Sequence, residues 1–457
     1  MTSIMWFRRD LRISDNPAWA AATQRRQPIC ALFVLDPVPL ATAGPLRHRL
    51  LLEHLAELDA SLREHGGRLR IVAGTPAEAL AAVAADIGAD RIFLNADTTP
   101  YSQSRDRKVA ALGLDIESYW GTLVQPPGSV LAKSGSVSKV FTPFWKTWEG
   151  VAWDRWPEAL DDPEVFSDPG EGLPAAQGDS PEPGGERGAL QRLAEFTEHV
   201  DRYLDERDLP AVEGTSGLST DLRFGTISPR LVADHIGHAT KGRAGFVRQL
   251  AWRDWYAHLL GEQPELRTQS MRPETGEIEW VNDETEFETW KDGRTGFPLV
   301  DAGMRQLAQT GRMHNRVRMV CASFLVKDLL IDWRWGEQWF RTQLIDADLS
   351  QNVGNWQWVA GTGPDAAPFF RVFNPLLQSR KFDAQGHYLR RWIPELAGLS
   401  ARDIHEPCSV APLDLAIADV YLGDTYPEPI VDHRWARDRA LAAYGAARDR
   451  AVPSQDS

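Results

Sequence analysis

The sequence predicts an α/β amino-terminal domain built on a doubly wound parallel sheet of five strands, followed by a long linker and an all-α domain. Three observations predict it: strand-length apolar runs alternating with Ala/Leu-rich stretches before residue 120, an acidic Pro/Gly-rich stretch from residue 157, and helical periodicity after it. With 457 residues the chain is about three times a typical domain, so two or three separate cores are expected.

In order, residues 2–7, 29–35, 69–73, 91–95 and 115–119 are apolar runs of strand length. Between them lie the helical stretches 16–24, 47–64, 76–88 and 102–112. This βαβ rhythm implies a parallel sheet with helices on both faces, and such sheets bind ligands at their carboxyl edge. Neither GxGxxG nor GxxxxGK[ST] occurs, so no motif supports a dinucleotide or nucleoside triphosphate here. After the linker, residues 189–208 carry Leu193, Phe196, Val200, Tyr203 and Leu204 at three- and four-residue spacing. The same period recurs over 230–238, 246–260, 299–310, 317–331 and 337–345. The expected division is an α/β domain over 1–135, a linker over 136–190, a helical domain over 191–451 and a polar tail over 452–457.

The formal charge of -14 argues at first against a nucleic-acid partner. Residues 157–186, however, hold nine acidic residues, no Lys or Arg, six prolines and five glycines, the composition of a solvated linker. Over 201–400 there are 24 basic and 27 acidic residues, a balance of -3, so DNA is not excluded. Between Asp301 and Asp328 no acid occurs, whereas Arg305, Arg312, Arg316, Arg318 and Lys327 do, as one solvated helix face or as a basic cleft. No apolar run approaches the roughly 18 residues of a membrane span, and charge arrives at Arg8 before a signal-peptide core could form. Three dispersed cysteines, Cys30, Cys321 and Cys408, without CxxC pairs, fit a reducing cytoplasm and neither a disulfide framework nor a zinc site.

Residues 213–219 set Thr215, Ser216 and Ser219 on a Gly-containing turn ahead of a helical stretch; hydroxyls and amides of this kind cradle phosphate or cap a helix. Residues 344–358 mix carboxylates and amides with two Trp, polar groups that are costly in a core unless a ligand or partner satisfies them. Asp346 and Asp348 lack third and fourth metal ligands at a suitable spacing, so no metal is expected; Asp346 is better read as the partner of an Arg, with Arg318 a candidate, and Asn352 as facing a ligand. Of 18 Trp, 11 follow residue 250, and those beside Arg or Asn, such as Trp252 and Trp358, are either core aromatics or stacking platforms for bases.

Residues 311–319 (Gly-Arg-Met-His-Asn-Arg-Val-Arg-Met), 325–334, 352–358 and 368–375 (Pro-Phe-Phe-Arg-Val-Phe-Asn-Pro) closely resemble the DNA photolyase and cryptochrome family, most like the class I cyclobutane pyrimidine dimer photolyases. Residues 6–12 (Trp-Phe-Arg-Arg-Asp-Leu-Arg) resemble its amino-terminal signature, and the likeness runs in order along almost the whole chain. The resemblance implies an antenna-binding α/β domain, a linker and a helical FAD-binding domain. It implies that blue light drives an electron from reduced FAD into a pyrimidine dimer, which splits and returns it.

Residue by residue, the resemblance places Tyr203, Thr215, Ser216, Leu218, Ser219, Arg318, Asp346 and Asp348 around FAD, with Thr215 and Ser219 on the pyrophosphate and the Arg318/Asp346 pair against the isoalloxazine. Asn352 would lie at flavin N5, where plant cryptochromes place Asp, and this favours repair over signalling. Trp252 and Trp358 would wall a flipped-out dimer, Asn315 and Met319 would complete the pocket, and Arg207, Arg316 and Arg371 would contact damaged DNA. Trp356, Trp333 and Trp280 match the family's electron-hopping chain. Two positions depart from the pattern. Gln249 stands where dimer photolyases usually have Glu, a feature more usual in (6-4) photolyases and animal cryptochromes, although Asn315 departs from the (6-4) His pair. Gly217 replaces a phosphate-loop Arg, a departure that would either weaken FAD retention or shift that contact to Arg223. Phe33, Asp36 and Arg47 resemble a site for an 8-hydroxy-5-deazaflavin antenna more than one for methenyltetrahydrofolate. A monomer is the family expectation; a cryptochrome-like photoreceptor and a (6-4) photolyase are the alternatives.

Overall fold

The computed structural model describes residues 2–174, 184–365 and 371–451. The polar tail 452–457, part of the linker and Pro368, Phe369 and Phe370 of the last motif lie outside the described residues. The chain forms two compact units: residues 1–204, 215–264 and 345–350 in the first, and residues 205–214, 265–344 and 351–457 in the second.

In the first unit β1 (Thr2–Phe7), β2 (Ile29–Leu35), β3 (Leu69–Ala73), β4 (Ala89–Asn95) and β5 (Asp115–Tyr119) form one parallel sheet in the order β3-β2-β1-β4-β5. Register is set with Ser3 opposite Ile29 and Ile4 opposite Ile92. Alternate residues feed two cores. Met5, Phe7, Ala31, Phe33 and Phe93 join Trp19, Leu55 and Leu58 on one face, while Ile4, Trp6, Cys30, Leu32 and Ile92 join Leu80 and Val83 on the other. Burial on both faces is why β1, β2 and most of β4 read as continuous apolar runs rather than alternating ones.

The acidic segment after residue 157 is partly docked on this unit rather than uniformly solvated. Val165 bridges to Ile29 and Gly170 to Ile71, the Glu171 carboxylate accepts from Ala73 N at 2.8 Å, and that of Glu186 accepts from Ile13 N at 3.1 Å. Backbone pairing along the strands, together with carboxylates that accept from main-chain amides, makes the acids compatible with docking. Before this stretch, Phe141–Gly150 is an amphipathic helix whose Phe141, Phe144 and Trp148 are buried.

The second unit is helical, with Pro298–Thr310, Asn315–Ser323, Trp333–Gln343 and His433–Ala451 among its longer helices. The single helix expected over 317–331 is interrupted: after Ser323 the backbone widens into a π-turn, Phe324–Asp328, and Leu330 takes φ +55°. Periodicity cannot foresee this, since a π-turn shifts the bonding partner without changing which residues are apolar. The stretch expected over 189–208 is also broken, into a helix Gly185–Thr197, a 3-10 turn Val200–Arg202 and a short helix Tyr203–Glu206, whereas the remaining helical stretches fall within a few residues of the expected bounds.

Candidate functional site

Within the first unit, Leu218 immediately precedes a helix, Ser219–Phe224, that has no side-chain cap. The Ser216 hydroxyl accepts from Leu218 N at 3.3 Å, Thr215 and Ser219 are exposed, and the Thr220 hydroxyl is buried without a partner in the described structure. Of the two readings of this turn, capping is therefore not what its hydroxyls at 215 and 219 do. Gly217 has φ +66°, a conformation that an Arg would adopt only under strain. Arg223 donates through Nε to Ala347 O at 2.6 Å, and its guanidinium is pushed down to about 9 by burial and by Arg9 and Arg47. Tyr203 meets Phe246 edge to face at 5.4 Å.

Asp348 belongs to a buried charge cluster in the same unit. Its carboxylate pairs with Arg9 and accepts from the Ser350 hydroxyl at 2.8 Å. Burial alone would raise its pKa, but Arg9, Arg253 and Arg223 hold it well below the usual carboxylate range. Arg9 also reaches Asp97 at 3.4 Å. Asp346, two residues earlier, is in this unit as well.

On the helix Lys241–Glu262, Gln249 and Trp252 are three residues apart and share a face. The Gln249 amide donates back to Gly245 O at 3.3 Å, while one face of Trp252 stacks on Phe141 at 3.8 Å and 15°. Among the antenna candidates, Phe33 lies in β2 and Asp36 just beyond its carboxyl end. Asp36 caps the following turn by accepting from Val38 N at 3.1 Å and accepts from the Tyr101 hydroxyl, and Arg47 donates to Thr42 O at 2.6 Å.

In the second unit Asn352 is buried, and both hydrogens of its amide are committed to Glu337: Nδ2 donates to the Glu337 carbonyl and to its carboxylate Oε1, each at 2.9 Å. Burial pushes the Glu337 carboxyl up, and Arg341 opposes that from 3.3 Å. The amide orientation is thereby fixed, and the group left for a ligand is the acceptor Oδ1.

Four residues on, Trp356 packs against Phe340 at 5.0 Å and lies so close to the preceding helix, Trp333–Gln343, that a Cβ at Gly336 would meet its ring at 2.1 Å. Trp333, three residues before Gly336, is fully buried, with its Nε1 lacking a partner in the described structure. Trp280 is partly exposed and meets Tyr444 edge to face at 6.1 Å. The three thus run from buried to partly exposed.

The predicted DNA contacts in this unit are distributed as follows. The His314 ring caps Asn315–Ser323 by accepting from Arg316 N at 3.1 Å, and burial pushes it down to about 4, so it is neutral. Asn315 donates weakly to Met319 Sδ at 3.8 Å across one helical turn. Arg316 pairs with Asp208 at 2.9 Å and stacks on Phe382, while Arg318 donates to Met313 O at 2.7 Å. Arg207 and Trp358 are half-buried, and Arg371 is exposed over Phe373.

Three partners escaped the sequence reading: Arg9 for Asp348, Glu337 for Asn352 and Phe141 behind Trp252. Arg9 had a signal, since it lies inside the 6–12 signature, whereas Glu337 and Phe141 had none. Among the described residues no group of three or more His, Cys, Asp and Glu is placed to hold a metal, and no helix is long and apolar enough to cross a membrane.

Residues 246–446 match a family described as the FAD binding domain of DNA photolyase, and residues 3–164 one described as DNA photolyase. A deoxyribodipyrimidine photo-lyase of Agrobacterium fabrum is 41% identical, the match covering 97% of this chain and 98% of that one. A bacterial class III photolyase from Agrobacterium tumefaciens superposes with TM-score 0.91 at 40% identity, over 98% of each chain. An archaeal photolyase from Sulfolobus tokodaii, solved with two FAD molecules, superposes with TM-score 0.85 at 33% identity over 98% of this chain and 100% of that one.

Proposed function

Because this chain belongs to the DNA photolyase and cryptochrome family, we propose a residue-by-residue account of how it works. The chain binds FAD and repairs cyclobutane pyrimidine dimers in damaged DNA, driven by light. Bound and reduced, FAD supplies the electron that opens the cyclobutane ring and takes it back.

The observation that carries the account is the amide of Asn352, whose two hydrogens are held by Glu337. An amide fixed in this way offers an acceptor, which suits a flavin N5 that carries a hydrogen, and offers no charge of its own. Glu337 is thus a positioning residue. For the pyrophosphate, the exposed hydroxyls of Thr215 and Ser219, the buried hydroxyl of Thr220 and the uncapped amides after Leu218 form a fitting donor set. Tyr203 and Ser216 complete the holding shell, with Arg318 and Asp346 against the ring system.

Trp252 and Trp358 form the apolar wall for the flipped dimer, and Phe141 backs Trp252 on one face. Asn315 and Met319 close the pocket. Arg207, Arg316 and Arg371 contact the DNA, with Arg316 pre-positioned by Asp208 and Phe382. A neutral His314 beside Asn315 offers an N–H but no imidazolium acid, which supports dimer splitting over chemistry that needs a protonated imidazole.

Residues 1–135 form the antenna-binding region, 136–190 the linker and 191–451 the catalytic region of this account. The antenna is an 8-hydroxy-5-deazaflavin at Phe33, Asp36 and Arg47. A reducing cytoplasm suits the three cysteines, all free, and the protein acts as a monomer.

Blue-light repair of a dimer-containing oligonucleotide by the reduced protein, with a (6-4) substrate in parallel, tests the account. Loss of the dimer only in the light is the expected result. No turnover of either lesion despite bound, reducible FAD overturns it.

Gln249→Glu is expected to keep or raise the dimer-splitting yield, because a carboxylate at this position restores the family's usual partner for the bases. It also forfeits the bond to Gly245 O, a loss of about 1 kcal/mol at a half-buried site. A large fall in splitting yield per absorbed photon would show that Gln249 is tuned to another substrate.

A further inference from the structure

We propose that residues 411–432 form a docking surface for a basic amphipathic helix of a partner protein, distinct from the surfaces assigned to FAD, the antenna and DNA.

The surface begins with the short helix Pro412–Ile417. Leu415 is buried, and at about 3.6 residues per turn Leu413 and Ile417 each lie roughly 160° around the helix from it, facing out. They are 73% and 77% exposed, the highest values of any large apolar side chain among the described residues. Ala411, Pro412 and Ala416 are exposed beside them, so the outward face is apolar apart from Asp414. The element that carries this face is firmly seated. Asp419 takes φ +58° and lets Val420 N donate to Leu415 O at 2.9 Å, which closes the helix with Leu415 and Val420 both buried. Behind it, a Cβ at Gly398 would meet Ala418 O at 2.9 Å. Just beyond, Tyr421 is 49% exposed in a turn closed by Thr425, whose hydroxyl accepts from Tyr421 N at 2.8 Å.

Charge selects the partner. Residues 411–432 contain five acids, Asp414, Asp419, Asp424, Glu428 and Asp432, and no Lys, Arg or His. All five are exposed, and among the described residues none has an ion-pair partner; the neighbouring pairs, Arg380 with Glu406 and Arg437 with Asp438, lie outside the stretch. Such a surface repels nucleic acid and anionic lipid headgroups. The outward face is a helix and presents no open strand edge, so the partner's main chain must satisfy its own hydrogen bonds, as a helix does. A helix that sets Leu-type side chains at i and i+4 against Leu413 and Ile417, with Lys or Arg on its flanks, matches both the apolar face and its charge. The last six residues of this chain hold one acid and no base, so they do not answer that charge.

The probe is a synthetic helical peptide of about 18 residues with Leu at i and i+4 and Lys on its flanks. It is titrated against the FAD-loaded full chain at about 0.15 M salt and followed by fluorescence anisotropy. Saturable binding is expected, and Leu413→Ser combined with Ile417→Ser should weaken it at least about tenfold. Asp414→Asn, Asp419→Asn and Asp424→Asn together should weaken it severalfold and flatten its salt dependence. Two control peptides, one with Ser for Leu and one with Glu for Lys, test the same points without altering the protein, and both should lose binding. None of the substituted side chains is assigned to FAD or DNA, so light-driven repair should be unchanged in the variants. Absence of saturable binding overturns the proposal. So does binding that survives loss of either the apolar or the acidic side chains, or that the Glu-for-Lys peptide retains. Sedimentation equilibrium addresses the other occupant: a dimer that Leu413→Ser with Ile417→Ser dissolves would make this face a contact between two copies of the chain and overturn the proposal as well.

Discussion

Trp333→Phe is expected to lose light-driven reduction of oxidised FAD while keeping dimer repair once the flavin is reduced chemically. Trp333 is fully buried, Trp356 is 2% exposed and Trp280 is partly exposed, the gradient of exposure that the proposed path from flavin to surface requires. A phenyl ring in the middle position preserves apolar packing but is far harder to oxidise than indole. The Trp333 indole N–H has no partner in the described structure, so Phe costs no hydrogen bond, only the smaller ring's lost contacts, about 1–3 kcal/mol. Loss of photoreduction is therefore not a by-product of unfolding. Flavin bleaching under blue light with an external reductant measures the first outcome, and dimer loss after dithionite treatment measures the second. Photoreduction equal to that of the unsubstituted protein would remove Trp333 from the path. A parallel collapse of chemically primed repair would mean that the substitution damages the site itself.

The tryptophan residues could be singled out in the sequence, but the feature that packs them could not. Gly336 reads as an ordinary helix glycine until the Trp356 ring is seen to occupy the place of its Cβ. The same division runs through the whole molecule. β1, β2 and β4 were legible because burial on both faces writes itself as nearly unbroken apolar runs, β3 and β5 by their place in the βαβ rhythm despite Arg70, Asp115 and Glu117, and most helices from their period. The π-turn at Phe324–Asp328 and the docking of residues 164–171 on the first unit were not, because both depend on which backbone groups bond and not on side-chain polarity. For the candidate site, residue types carried the family likeness, whereas orientation came from partners distant in sequence. Glu337 lies 15 residues from Asn352, and Arg9 lies 339 from Asp348. No spacing rule reaches across such separations; they become visible only when the tertiary structure brings the groups together.

Asp348→Asn is expected to destabilise the protein by about 3–5 kcal/mol, the usual consequence of removing one partner from a buried ion pair. The carboxylate is 9% exposed and is favoured by Arg9, Arg253 and Arg223. Its neutralisation leaves Asp97 to offset these guanidinium groups, which retain their charge. The pH dependence follows from the direction of the shift. A carboxylate held below its unfolded value contributes stability above that value, about 4, and loses it as pH falls through the depressed folded value. The unsubstituted protein should therefore lose stability on acidification below about pH 4 more steeply than Asp348→Asn does. Thermal unfolding midpoints at neutral and acid pH, measured together with FAD affinity, decide what the residue does. A lower midpoint at neutral pH, with an FAD deficit no greater than the destabilisation explains, makes Asp348 a structural counter-ion for the amino-terminal Arg9. An unchanged midpoint with weakened FAD binding would make it a direct ligand of the cofactor. Combining Asp348→Asn with Arg9→Gln sharpens the distinction: if the pair is what the carboxylate serves, the double variant should be less destabilised than the sum of the two single ones.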